Sequence, residues 1–174
     1  MQLVRFAKAL AVAFFLNGIL FLCVSQEAYA ESKAAEAKKY TTELKTAKDA
    51  KTKANALTEL GKLGQIMKSF TDDAMPDILK AMDDKDATVR AAAAQCLGRC
   101  DPDPEKAVPA LVKMLNEDKD TDAKIGAAKG LAAMGTSAKA AADDLRKVAK
   151  DADQKSALGK QATIALKSIN GKAK

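Results

Sequence analysis

Two thiols and a few clusters of carboxylates are the groups in this chain whose types and spacing could do chemistry. Cys96 and Cys100 stand four residues apart. On a helix they share one face, close enough to touch but poorly directed for an unstrained bridge. No His and no second Cys pair accompanies them, so the set falls short of a zinc site. They read as two small buried apolar residues, with an oxidised or intermolecular pairing as the alternative in a non-reducing compartment. Asp118, Asp120 and Asp122 alternate as in a calcium loop. Ala123 and Lys129 stand where such a loop needs Gly and Glu, and helix-start capping accounts for the acids without a metal. Asp72-Asp73 and Asp143-Asp144 each lie in a polar helix start, with nothing apolar around them to raise a pKa for acid or base work.

Composition narrows the choice further. The chain has 174 residues, 29 basic and 23 acidic, for a net charge of +6, with no His, no Trp and 4% aromatics. That length suits one domain. Without His there is no usual general base and no histidine triad. No glycine-rich phosphate loop or G-x-S-x-G elbow is present. The expectation is a protein that is not an enzyme, with no catalytic residues, no metal or cofactor and no evident small-molecule substrate.

The elements that must position these groups begin after residue 30. Arg5 and Lys8 head an apolar run from Ala9 to Val24, and Ala28-Tyr29-Ala30 follows as a small-x-small site. This is the pattern of a secretory signal peptide over residues 1–30, cleaved after Ala30. A retained anchor is the alternative, but sixteen residues reach only roughly 24 Å, short of a ~30 Å hydrocarbon core. The protein is therefore expected to be exported, periplasmic or secreted. Residues 31–174 keep 27 basic and 22 acidic residues, a net +5, and only Tyr40 and Phe70 as aromatics. Abundant Ala, Leu, Lys and Glu with few β-branched residues is helical composition.

Within 31–174 one pattern recurs four times. Leu60, Leu97, Leu131 and Leu166 are spaced by 37, 34 and 35 residues. Ala56, Ala93, Ala127 and Ala162 each precede a leucine by four, and Leu63, Cys100, Met134 and Ile169 each follow one by three. That is a single apolar stripe on a short helix, used repeatedly. A partner helix precedes each copy. Pro76, Ile78, Leu79 and Met82 match Pro109, Leu111, Val112 and Leu115; Ala142, Leu145 and Val148 follow the same frame, and Thr41, Leu44 and Ala47 form a faded first copy. Proline at 76 and 109 suits a helix's first turn. Acidic turns join the paired helices, Gly61, Gly64, Gly98 and Gly135 read as stops of the second helices, and Asp101-Pro-Asp-Pro104 reads as a stiff linker between repeats.

The segments Pro76-Asp-Ile78-Leu79 and Asp86-Ala-Thr-Val89-Arg90-Ala-Ala-Ala93-Ala-Gln-Cys-Leu97-Gly98 resemble HEAT repeats. They are closest to the short bacterial type also called PBS-lyase-like. Asp120-Thr-Asp-Ala-Lys124-Ile-Gly-Ala127 is a second good copy, with Lys for the family's Arg, and the terminal copies are degenerate as capping repeats tend to be. The resemblance implies an all-α fold: a short right-handed α-solenoid of about four helix pairs, with repeats near 34–64, 72–100, 105–135 and 138–170. It implies binding to another protein. The bilin-lyase role for which such repeats were named does not suit an exported chain with no added domain.

Asp49, Asp86 and Asp120 stand four residues before Lys53, Arg90 and Lys124. Acid-then-base pairs at this spacing support a helix by ~0.2–0.5 kcal/mol each. These six residues are the candidate partner-binding surface along the second helices, with cross-linking between repeats as the structural alternative. A second functional reading is electrostatic association with an anionic envelope polymer or lipid head groups, since the stretch from Lys160 to Lys174 carries lysines and no acid. Nucleic acid is not an expected partner: 31–174 hold only Arg90, Arg99 and Arg146, and stacking aromatics are lacking.

Overall fold

The computed structural model describes residues 19–100, 102–152 and 155–171, and the regular structure among them is helical with no strand. The basic head and most of the apolar run of the expected signal peptide lie outside the described residues, while Ala28 to Ala30 are helical. The chain divides into two compact units, 1–36 and 37–174. In the first, Lys33 pairs with Glu36 at 2.9 Å and lies 5.7 Å from the Tyr29 ring centroid. No helix among the described residues is long and apolar enough to cross a membrane.

The helices are α1 (Ile19–Thr46), α2 (Ala50–Ile66), α3 (Met75–Ala81), α4 (Ala87–Arg99), α5 (Pro104–Glu117), α6 (Thr121–Met134), α7 (Ala142–Asp151) and α8 (Ala157–Ile169). Short 3-10 turns at Lys68–Phe70, Asp72–Ala74 and Gly135–Ala141 lead into α3 and α7. From α2 onward the pairing follows the sequence repeat: α3 packs on α4, α5 on α6 and α7 on α8. The second helices α2, α4, α6 and α8 pack on one another in that order, and theirs are the most extensive contacts in the molecule.

Polar side chains set where these helices begin. Asp49, Asp86 and Asp120 each accept a backbone N–H of the first turn, from Thr52, Thr88 and Asp122, all at 2.8 Å. Ser156 accepts from the Gly159 N–H at 3.0 Å. Such caps satisfy donors that the helix itself cannot, worth about 1 kcal/mol each. At the far end of α6, Gly135 adopts φ 56°, a conformation glycine enters without a Cβ clash, and closes the helix as expected.

The apolar stripes meet in one core. Leu60, Leu97 and Leu131 are sealed from solvent, as are Ala56, Ala93, Ala127 and Ala162. Ile78, Leu111, Leu115 and Leu145 close the layer from the first helices. Each fully buried Leu or Ile contributes about 1.5–3 kcal/mol relative to leaving it in water.

Two sequence expectations need correcting. Pro109 does not open its helix: α5 begins at Pro104 under an Asp103 cap, with Asp103 accepting from the Glu105 N–H at 3.1 Å, so the supposed linker is itself the helix start. Gly61, Gly64 and Gly98 are not stops but lie inside α2 and α4, buried. They mark where second helices touch. A Cβ on Gly64 would stand 2.7 Å from Cys100 Sγ, and one on Gly126 would stand 2.5 Å from Ala91 Cα. Gly98 and Gly130 meet backbone to backbone in the same seam. Small residues let the helix axes approach to the short end of the usual 8–10 Å range.

Candidate interaction surface

The six candidate residues are brought to one end of the second helices, but not in the pairs expected. Asp49, Asp86 and Asp120 are committed to the helix starts described above, and none of them forms an ion pair with the base four residues on. A cap acid points back along its own backbone, so its carboxylate is spent before the next turn begins. The bases reach elsewhere. Lys53 Nζ pairs with Asp84 Oδ2 at 2.6 Å, and Arg90 pairs with Asp118. Each bond runs from the second helix of one repeat to the acidic turn of the next. Lys124 Nζ donates to the Asn116 carbonyl at 3.2 Å. In their register the bases therefore act as ties between and within repeats.

Arg90 makes the strongest of these ties. Its Nε and Nη2 donate to Asp118 Oδ2 and Oδ1, both at 2.7 Å, in the fork geometry that suits a guanidinium and a carboxylate. Its Nη1 donates to the carbonyls of Asp84 and Lys85 at 2.9 and 3.1 Å. One side chain thus holds both its own turn and the next. The hydrogen bonds from Arg90 hold the Asp118 carboxyl below its ordinary range despite partial burial, and Asp118 in turn raises Arg90. At Asp84 burial pushes the carboxyl up, yet the Asp86 N–H and the Lys53 ammonium together bring it below its usual value.

The pairing of Asp84 and Asp118 with these bases is not expected from helical spacing, although the sequence holds a signal for it. Both stand in the tripeptide Asp-Lys-Asp, at 84–86 and 118–120. In each, the first Asp accepts the N–H of the second, at 3.0 and 2.9 Å, and takes the base of the preceding repeat, while the second Asp caps the helix. The alternating acids 118, 120 and 122 are accounted for in this way: clamp, cap, and first helical turn. Further ties cross between pairs. Lys45 meets Asp77 at 3.2 Å, Asn116 Nδ2 donates to Asp144 Oδ1 at 2.8 Å, and Ser168 Oγ donates to the Ala132 carbonyl at 2.9 Å. Asp143 pairs with Arg146 within α7.

Cys96 and Cys100 are both buried as free thiols, Sγ to Sγ 3.8 Å, against Gly61 and Gly64 of α2. The hydrogen bond with Cys100 and burial push the Cys96 thiol up, away from the thiolate that a nucleophile or metal ligand requires. Between α3 and α5 opens a cleft of about 640 Å³, lined by Leu79, Met82, Ala110 and Met114 together with the Arg90–Asp118 pair. Among the described residues no buried side-chain nitrogen or oxygen lacks a partner, and no three metal-ligating side chains are grouped.

The family model described as HEAT repeats matches residues 37–132, the stretch that holds α2 through most of α6. This chain belongs to the HEAT-repeat family. Among solved structures it is similar to the crystal structure of an engineered protein from the Northeast Structural Genomics Consortium, at 24% identity with a TM-score of 0.56. The match covers 76% of this chain and spans 62% of that protein's length, and it speaks for the repeat-protein fold alone. No curated protein matches.

Proposed function

We propose that residues 31–174 act outside the cytoplasm, periplasmic or secreted, as a non-catalytic scaffold that binds another protein. HEAT repeats generally mediate protein–protein interaction, and that coarse role fits the family membership. Export rests on the Arg5/Lys8 head, the apolar run and the Ala28-Tyr29-Ala30 site, with cleavage after Ala30. The stacked helix pairs are read as a short right-handed α-solenoid of about four repeats, its second helices brought close by small residues. The observation that carries the reading is the use of the chain's acids and bases: the ones repeated in register serve as caps and ties. Because Lys53, Arg90 and Lys124 have internal partners, recognition is placed on other residues of the same second helices.

A second reading, electrostatic association with an anionic envelope polymer or lipid head groups, draws on one feature. Lys160 and Lys167 are both exposed on α8, which carries no acid. Salt separates the two readings, since exposed charge contacts fade as the Debye length shrinks to ~3 Å at 1 M. The C-terminally tagged chain is recovered from the envelope fraction and washed at low and then high salt. A discrete protein retained through the high-salt wash supports the scaffold. Release of only polymer or lipid by salt supports the second reading, and an empty column contradicts both.

A further inference from the structure

Charge is divided between the two helix layers in a way that neither the repeat pattern nor the family explains. The first helices α3, α5 and α7 carry six bases and six acids. The second helices α2, α4, α6 and α8 carry nine bases and two acids, Glu59 and Asp122. Lys53, Arg90 and Lys124 are absorbed by the ties at the turn end. The other six bases are not part of that ladder, and α4 has no acid at all.

Register places the central ones together. The same spacing that aligns the four leucines aligns Thr58 with Gln95, Lys129 and Ile164, and Lys62 with Arg99, Ala133 and Ser168. These two columns run across the helices on the side that α4 leaves open: its accessible stripe is Thr88, Ala92, Gln95 and Arg99, at helical spacing. Lys62 and Lys129 are exposed and Arg99 is half-buried. Lys62 meets the half-buried Glu59, whereas Arg99 and Lys129 have no carboxylate partner among the described residues. Around these cations the texture is small and mixed. Ala92 and Ala133 leave room for a close backbone, and Ile164 is 53% exposed in the column of Lys129.

We infer that the open face of the second helices, centred on Arg99 and Lys129, is a docking surface for an acidic polypeptide segment. This deepens the scaffold reading, on which it rests. Charge complementarity selects an acidic partner. The apolar Ile164 and the alanines between the cations suit a polypeptide, which brings its own apolar side chains, better than a bare polyanion. The spacing also fits. Arg99 and Lys129 lie on neighbouring helices roughly 8–10 Å apart and four residues, roughly 6 Å, out of step, so their backbones stand roughly 10–12 Å apart, and carboxylates seven residues apart on a helix stand roughly 10.5 Å apart.

The test uses the full chain and a fluorescein-labelled helical peptide with Glu at i and i+7 and Leu between them, followed by anisotropy. A matched Lys peptide and long-chain polyphosphate are measured alongside. The inference expects the Glu peptide to bind, the Lys peptide not to, and Arg99→Glu with Lys129→Glu to weaken binding by about tenfold or more. Lys106→Glu with Lys113→Glu, on the first-helix layer, is expected to leave binding unchanged. Far-UV circular dichroism of all variants separates lost binding from lost folding; if the Glu variants unfold, Arg99→Gln with Lys129→Gln is measured in their place. Equal weakening by the two pairs of substitutions, no binding of the Glu peptide, or tight binding of polyphosphate alone overturns the inference. A protein partner captured equally well by the chain bearing Arg99→Glu and Lys129→Glu removes this surface while leaving the scaffold reading standing.

Discussion

Replacing Arg90 by Met keeps the aliphatic stem and removes the guanidinium. The loss is four hydrogen bonds, two to Asp118 and two to the carbonyls of Asp84 and Lys85. Asp118 is left with the Asp120 N–H alone. The two side chains are 17% and 9% exposed, so the pair sits at the edge of water, neither free nor sealed. Exposed pairs contribute about 0–1 kcal/mol and broken buried pairs cost about 3–5, which places this substitution at about 2–3 kcal/mol. With a urea slope of about 1–3 kcal/mol/M, the midpoint followed by circular dichroism should fall by roughly 1 M or more. Each repeat is held largely by its neighbours, so the weakness should appear first between the second and third helix pairs. Amide hydrogen exchange there is expected to speed up before it does in α8. Adding Asp118→Asn to Arg90→Met removes the stranded charge and should recover about 1 kcal/mol. A single variant within about 0.5 kcal/mol of the parent, or a double variant no better than the single one, would refute the claim that Arg90 ties the repeats together.

Other consequences follow from the caps, the seam and the carboxyls. Gly126→Ala sets a Cβ 2.5 Å from Ala91 Cα, so α4 and α6 must part; overpacking of about 1–3 kcal/mol should show as a lower thermal midpoint. Asp86→Ala removes the cap on the Thr88 N–H and should cost about 0.5–2 kcal/mol, with Asp86→Asn retaining most of the stability. Asp84 and Asp118 both have folded pKa values below their ordinary one. Their contribution is therefore fully present above about pH 5, where the unfolded carboxyls are also ionised, and is lost as pH falls through the lowered folded values. Stability of the parent should fall below about pH 4 more steeply than that of Arg90→Met, measured by urea titration at each pH.

The helix pairs were legible because each apolar stripe repeats within a single helix. Ala56, Leu60 and Leu63 face the core for the same reason that Ala93, Leu97 and Cys100 do, and no knowledge of neighbours is needed to see it. What lay outside a single helix was harder to read. The i, i+4 spacing of Asp86 and Arg90 is a real helical proximity, but the cap takes the acid and the next repeat supplies a better-aimed one in Asp118. Gly61 and Gly64 looked like stops because glycine commonly ends helices; their purpose appears only once α4 lies against α2. Pro109 sits within α5 because Asp103 and Pro104 already open that helix. The open face of the second helices was legible as a region, yet its charge stood out only after the ties had been separated from the free cations.

The most direct test of the whole account is photo-crosslinking in intact cells, with a benzophenone side chain placed at Lys129 on the second-helix face or at Lys113 on the first-helix layer. Both positions are exposed. A discrete protein adduct from position 129 and none from position 113 is the predicted result. No adduct from position 129, or an adduct from position 113 alone, would contradict the claim that this chain is a scaffold that receives its partner on the open side of its second helices.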